Sequence, residues 1–163
     1  MEFLPTTLGP RPRLAVELRR ESVVAARAEN ATALLVAVSR ASLPEGAVVS
    51  GLKSGNVADR TAVVAAFRQV LEPVADKASG RGREITLVVP DAAVRVLLLD
   101  FDSLPGKPSE ALPVVRFRLK KVLPFEAEDA SVSYQIMSTG KSGVRVLAVA
   151  MPRAVLGEYE SVV

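Results

Sequence analysis

Apolar and polar residues alternate near the start of the chain, which is the pattern of a β-strand with one buried face. Residues 13–19 (RLAVELR) show this pattern, and the apolar segments at residues 21–29 and 32–39 are interpreted as the second and third strands. Short turn sequences between the three segments predict that they pair in order as a meander. Prolines and a glycine before them predict a non-helical lead-in over residues 1–12.

The spacing of apolar residues changes to the helical period over residues 57–71. Asn56 and Asp59 are both available as the residue that caps this helix. Pro73 is predicted to end or kink the helix, because proline lacks the backbone donor and its ring clashes with the preceding turn. The apolar stripe consists of Val63, Phe67, Val70, Leu71 and Val74.

A glycine-containing linker is predicted at residues 78–82, immediately before a continuous apolar run. That run, residues 85–89 (ITLVV), predicts a strand buried on both faces. Residues 94–100 (VRVLLLD) follow after a Pro-Asp pair, and we expect them to pair with the run as the next strand.

The last part of the chain predicts a helix, a hairpin and a final helix. The first helix begins at Ser109 or Glu110 and extends to about Val122. Strands at 130–137 and 144–151 flank a hairpin loop at 140–143, and the final helix begins at 154. The order β-β-β-α-β-β-α-β-β-α predicts the α/β class with mixed sheets, similar to the start of an RNase H-like or actin-like subdomain.

Composition excludes several classes of chemistry. The 163 residues include no cysteine and no histidine. A cysteine or histidine zinc site, a disulfide framework and the usual Ser-His or Cys-His nucleophiles are therefore ruled out. Lys and Arg number 21 against 18 Asp and Glu, and a net charge of +3 gives little support for a nucleic-acid partner. Without a long apolar stretch or a signal-peptide pattern, the expected compartment is the cytoplasm.

Carboxylates and glycine loops are the remaining candidates for chemistry. Asp100 and Asp102 point to one face of a strand, where they form either a cation site or a solvated strand end. The acidic run 126–129 is interpreted as a solvated loop. The sequence GKSG at 140–143 lacks the rest of a Walker A motif and is interpreted as a hairpin turn. Residues 80–83 (GRGR) suit either an anion contact or a flexible connector.

The basic run 116–121 (RFRLKK) is the most informative patch. Its helix is expected to bury a stripe formed by Leu112, Val115, Leu119, Val122 and Leu123. Phe117 and Lys121 then lie on roughly the opposite side with Val114. Three interpretations stay open: a solvated amphipathic helix with Phe117 covered by a loop, a docking surface for an acidic or amphipathic peptide, and generic phosphate binding.

A series of landmarks runs through residues 85–136. They are Pro90, Leu104-Pro105, Lys121, Pro124-Phe125, Glu126 to Asp129, and Tyr134. In this order they resemble the middle of the PilM family, the actin-like cytoplasmic proteins of type IV pilus assembly, and the helix with its Pro-Phe ending is the most specific part. The upstream residues 44–71 resemble the loop, glycine and helix that precede this region in the family, and the similarity covers residues 13–163.

The resemblance implies the N-terminal half of an actin-like, FtsA-related fold with an inserted small subdomain. Residues 13–90 would form the first part of subdomain 1A, residues 91–151 the insertion, and residues 152–163 the return to 1A. Family members are considerably longer than this chain, so the chain is expected to be cut short. A GspL-like cytoplasmic domain of type II secretion is a related alternative.

The resemblance also implies a partner. Family members act at the inner face of the cytoplasmic membrane, where they bind the N-terminal tail of the membrane protein PilN, between the first and the inserted subdomain. No catalytic role, metal or nucleic acid is implied, and contact with the membrane would be through the partner. The expected partner-binding residues are Arg116, Phe117, Lys120, Lys121, Pro124 and Phe125.

A phosphate hairpin of the form G-x-D-x-G opens actin-like ATPases, and its counterpart here is degenerate. Glu17 replaces the aspartate, and Arg19 stands where a glycine permits close phosphate approach. Arg20 and Ser22 complete the hairpin. We therefore expect no cofactor for this chain alone, with ATP and magnesium only when a second domain is present. The enzyme alternative is an actin-like ATPase with a degenerate nucleotide loop.

Overall fold

The computed structural model describes residues 12–29, 34–75 and 84–163. The predicted linker at 78–82 and most of the lead-in lie outside these ranges. The order of strands and helices confirms the predicted mixed α/β class. The elements are β1 (Leu14–Leu18), β2 (Ser22–Ala28), β3 (Leu35–Ser42), α1 (Arg60–Val74), β4 (Ile85–Val88), β5 (Arg95–Phe101), α2 (Pro108–Leu119), β6 (Ala130–Gly140), β7 (Gly143–Pro152) and α3 (Arg153–Glu160).

The chain divides into two compact units. Unit 1 contains the described residues within Met1–Ser50, Gly55–Pro90 and Glu158–Val163, and unit 2 contains those within Gly51–Ser54 and Asp91–Gly157. The subdomain boundaries implied by the family resemblance stay a prediction.

Unit 1 is built on a four-stranded sheet with the order β3-β2-β1-β4. β1 runs antiparallel to β2 and parallel to β4. Alternate residues of β1 are buried, as its sequence pattern predicts, and α1 packs against β2 and β3. The core of this unit includes Val16, Leu18, Val23, Val63, Phe67 and Val70.

Helix α1 begins three residues later than the start of its predicted segment. Asp59 is its N-cap, since its Oδ1 accepts a hydrogen bond from the amide of Ala62 at 2.9 Å. Asn56 is instead buried and accepts a hydrogen bond from Tyr159. The helix includes Pro73 in its last turn and ends at Val74. The helix therefore ends one residue after the proline, in agreement with the prediction that Pro73 ends or kinks it.

Two predictions about β4 are wrong. Its residues alternate between half-buried and exposed, and Val88 is 44% exposed, so the strand is not buried on both faces. The reason is its place at one end of the sheet. Nor does β4 pair with β5, because a short 3-10 helix at Asp91–Ala93 separates them and β5 joins the other sheet.

Unit 2 is a three-stranded antiparallel sheet, ordered β5-β7-β6, with α2 on one face. Helix α2 begins at Pro108, just before the predicted start at Ser109 or Glu110, and its N-cap is Lys107. The predicted burial of Val122 is wrong: the helix ends at Leu119, and Val122 lies in the following turn with 50% exposure. The core cluster consists of Leu99, Val115, Leu119, Val146, Ala148 and Ala150.

The end of the chain is fastened to unit 1 by hydrogen bonds. The carboxylate of Glu158 accepts hydrogen bonds from the amides of Gly55 and Asn56, each at 2.7 Å. The buried hydroxyl of Tyr159 donates to Oδ1 of Asn56 at 2.9 Å. Arg60 reaches the carbonyl of Ser161 at 2.6 Å. Residues 158–163 are thus part of the structure of this unit.

Candidate functional site

One face of α2 and its following turn carries exposed apolar and basic side chains. Val114, Phe117, Arg118 and Lys121 follow one another at helical spacing, and we call them the α2 stripe. Phe117 is 66% exposed, and Nζ of Lys121 lies 5.7 Å from the centre of its ring. Val115 and Leu119, on the opposite face, are fully buried. The stripe therefore offers an aromatic surface beside positive charge.

Arg116 lies between the two faces and is committed to internal contacts. Its guanidinium donates to the carbonyl of Ala127 at 2.5 Å and to the carbonyl of Ala130 at 2.9 Å. These bonds join α2 to the short 3-10 helix at Ala127–Asp129 and to the start of β6. The carbonyl of Ala127 also accepts a hydrogen bond from the amide of Ala130, so Arg116 adds a second donor there.

Lys120 forms an exposed ion pair with Glu128, and Nζ lies 2.8 Å from the carboxylate oxygen. The hydrogen bond raises the pKa of Lys120 and lowers the pKa of Glu128. An acidic residue of the loop thus neutralises this lysine, whereas Lys121 stacks over Phe117.

The Pro-Phe pair after α2 is split between surface and core. Pro124 is exposed. Phe125 is partly buried and packs against the core cluster of unit 2. Of the predicted partner-binding residues, the structure therefore brings Phe117 and Lys121 together on one exposed face and gives Arg116 and Phe125 internal contacts. Arg118 belongs to the basic run but was not among the predicted partner-binding residues. Helical spacing alone would have placed it on the same face as Val114 and Lys121.

The degenerate phosphate hairpin lies between β1 and β2. Glu17 accepts a hydrogen bond from Arg19 at 2.6 Å, and this bond lowers the pKa of Glu17. The amide of Arg19 donates to the carbonyl of Ser22 at 2.9 Å, which closes the turn. Ser22 is buried and Arg20 is exposed. Glu17 and Arg19 of this hairpin are thus bonded to each other.

The other candidates from the sequence have simpler surroundings. Asp100 accepts two hydrogen bonds from Arg145, at 2.7 and 3.2 Å, which lower the pKa of Asp100. Lys141 and Ser142 form the two-residue loop of the β6–β7 hairpin. The segment 80–83 lies outside the described residues.

In the ranges that the structure describes, no helix is long and apolar enough to cross a membrane.

The comparison with solved structures finds two informative neighbours. A chain of the PilM-PilN type IV pilus biogenesis complex superposes with a TM-score of 0.73 at 18% identity, over 94% of this chain and 44% of that one. The cytoplasmic domain of EpsL, an inner membrane component of the Vibrio cholerae type II secretion system, superposes with a TM-score of 0.53 at 13% identity, over 91% of this chain and 50% of that one.

No protein-family model matches the chain, and no curated protein matches its sequence. The chain spans about half the length of the two solved chains. At such low identity the similarity establishes the fold, and it agrees with the landmarks found in the sequence. The chain therefore shares the α/β fold of that chain of the PilM-PilN complex over the part that the two have in common.

Proposed function

We propose that this chain is a non-catalytic assembly protein of a type IV pilus or a related type II secretion system. It docks the N-terminal tail of a PilN-like membrane protein and acts at the inner face of the cytoplasmic membrane. The observation that carries the proposal is the fold shared with a chain of a PilM-PilN complex, in a protein that also exposes the α2 stripe.

The chemistry of the α2 stripe supports peptide docking. A solvent-exposed phenylalanine has a large apolar surface to bury, and aromatic side chains are frequent energetic centres of interfaces. Lys121 lies over the ring, and Arg118 is an exposed cation of the same stripe, so the stripe suits a peptide that combines an apolar side chain with a carboxylate. Burial of Phe117 by such a peptide would also shield the ion pair between Lys121 and the peptide carboxylate from solvent.

The remaining predicted residues are assigned a supporting role. Arg116 binds two backbone carbonyls and Lys120 is paired with Glu128, so both position the loop beside the stripe. Phe125 anchors the chain after α2 in the core of unit 2. We infer that their substitution would act through the shape of the surface, whereas Phe117 and Lys121 contact the partner directly.

The test is a titration of a fluorescently labelled peptide with the N-terminal sequence of the PilN-like protein from the same organism. Fluorescence anisotropy would give the dissociation constant for the wild-type chain and for the double variant Phe117→Ala with Lys121→Glu. We expect the double variant to bind at least about tenfold more weakly, as expected for an aromatic interface centre.

The matched control is Leu98→Ala with Arg95→Glu, which also removes an exposed apolar side chain and reverses a charge in unit 2. The control should bind like the wild-type chain, and all three proteins should unfold at similar temperatures. Equal peptide affinity of the wild-type chain and the Phe117 double variant would contradict the proposal.

An actin-like ATPase is the second candidate function, and we infer that this chain alone does not turn over nucleotide. The support is the hairpin, where Glu17 is bonded to Arg19 and Ser22 is buried. The measurement is isothermal titration with Mg-ATP together with a phosphate-release assay. Micromolar binding with turnover would favour the ATPase over the adaptor.

A further inference from the structure

Three consecutive backbone amides of unit 1 converge on the carboxylate of Glu158. The amide of Gly55 donates to Oε1 at 2.7 Å, and the amide of Asn56 donates to Oε2 at 2.7 Å. The amide of Val57 also donates to Oε2, at 3.4 Å. Consecutive amides that point into one concavity form a nest, which is a recurrent anion-binding arrangement in proteins. We call residues 55–57 the nest.

The nest is held in place by contacts other than those with the carboxylate. Gly55 has a φ of +100°, in the left-handed region that favours glycine, and a Cβ there would meet no atom of the described residues within 4 Å. Glycine is therefore needed for the backbone conformation and not for space. The carbonyl of Asn56 accepts a hydrogen bond from the amide of Val49 at 2.8 Å. Val57 pairs with Val48 in an antiparallel bridge. The three amides are thus preorganised for an anion.

Glu158 lies near the end of α3, and the residues around it hold it over the nest. Tyr159 is fully buried, and its hydroxyl donates to Oδ1 of Asn56 at 2.9 Å. The hydroxyl of Ser161 donates to the carbonyl of Glu158 at 2.7 Å. The guanidinium of Arg60 donates to the carbonyl of Ser161 at 2.6 Å. These bonds fix the backbone from which the carboxylate reaches the nest.

We propose that the nest is a binding site for a carboxylate anion and that Glu158 is its built-in ligand. A carboxylate fits because each of its two oxygens receives one short amide hydrogen bond. Hydrogen bonds from amides to an ionised carboxylate are stronger than those between neutral groups. The end of the chain is therefore held to unit 1 by an anion site as well as by packing.

An attached ligand has a high effective concentration, so a free carboxylate does not displace Glu158 from the wild-type chain. Removal of the Glu158 side chain opens the nest to a small free carboxylate. The test is an NMR titration of the isotopically labelled 163-residue chain with sodium acetate. In Glu158→Ala, the amides of residues 55–57 should shift saturably. In the wild-type chain they should not shift, and sodium chloride at equal ionic strength is the control for a general effect of salt.

Glu160→Ala is the matched control, since it removes an exposed glutamate of the same helix two residues away. Its amides at residues 55–57 should respond to acetate as little as those of the wild-type chain. Glu158→Gln keeps the size of the side chain and removes its charge. The amides of Gly55 and Asn56 should shift upfield in this variant, because their hydrogen bonds to a charged acceptor are lost.

The outcomes decide the proposal whether or not Glu158→Ala folds without acetate. If it does not fold, acetate should restore its folded circular-dichroism spectrum. Absence of saturable shifts at residues 55–57 in a folded Glu158→Ala, or failure of acetate to restore an unfolded one, would overturn the proposal. So would equal shifts in the wild-type chain and in Glu158→Ala, or wild-type amide positions in Glu158→Gln.

Discussion

Glu128 illustrates, at the scale of a single residue, how the loop beside the α2 stripe is held. Lys120 lowers the pKa of Glu128 in the folded chain, mainly through their hydrogen bond. The contribution of the pair to stability is therefore present above the carboxyl's ordinary pKa and is lost as pH falls through the folded pKa. Both side chains are more than half exposed, so this contribution is small.

We expect Lys120→Gln to raise the pKa of Glu128 toward its ordinary value, because the charged hydrogen-bond donor is lost. The measurement is an NMR titration of the side-chain carboxyl carbons in the wild-type and variant chains. An unchanged pKa in the variant would show that the ion pair does not form in solution.

Gly143 is a residue whose backbone conformation requires glycine. Its φ is +115°, and a Cβ at this position would collide with the backbone carbonyl oxygen of Phe101. Gly143→Ala is expected to destabilise the fold by about 2 kcal/mol or more. At Gly140, on the other side of the same hairpin, a Cβ would have no other atom of the described residues within 4 Å, so Gly140→Ala should change stability by less than about 1 kcal/mol. Urea unfolding compares the two; equal effects would contradict this account of the hairpin.

Helix α1 shows, at the scale of an element, what a cap contributes. Asp59 accepts a hydrogen bond from the amide of Ala62, so Asp59→Ala should destabilise the fold by about 1 kcal/mol. Asp59→Asn keeps an acceptor at the same place and should be nearly neutral. Thermal or urea unfolding of both variants checks this, and an equally large loss in Asp59→Asn would mean that charge, and not the cap, matters.

Local pattern was sufficient to predict elements whose partners lie nearby in sequence. The meander of β1 to β3 follows from three apolar segments separated by short turns, and α1 follows from its stripe. The pairing of β4 with β1 was not predicted, because an apolar run is compatible with several places in a sheet. The two strands are also distant in sequence, since Leu14 pairs with Ile85.

At the candidate site, the exposed face of α2 was predicted, since helical spacing puts Phe117 and Leu119 on different faces of the helix. The hydrogen bonds of Arg116 to Ala127 and Ala130 were not predicted, because they depend on the path of the chain after the helix, which the spacing of residues within the helix does not determine.

The contacts of residues 158–163 matter at the scale of the whole molecule, because they connect the end of the chain with residues 55–60. Burial raises the pKa of Tyr159, whose hydroxyl donates to Asn56. Tyr159→Phe removes this buried hydrogen bond and should destabilise the fold by about 1 to 2 kcal/mol. Urea unfolding measures the loss. No change in the midpoint would mean that the bond is not maintained in solution.

The landmarks of the PilM resemblance, spread from Pro90 to Tyr134, predicted the fold that the solved neighbours share. The proposed docking of a peptide at the α2 stripe adds a surface property to that fold. Fold alone does not specify function, so the claim requires a measurement at the surface itself.

The most direct measurement is an NMR titration of the isotopically labelled chain with the unlabelled N-terminal peptide of the PilN-like protein. The account predicts saturable shift changes at the amides of Phe117, Arg118 and Lys121, and their loss in the double variant Phe117→Ala with Lys121→Glu. Saturable changes that leave these three amides unaffected, or no binding at all by the wild-type chain, would contradict it.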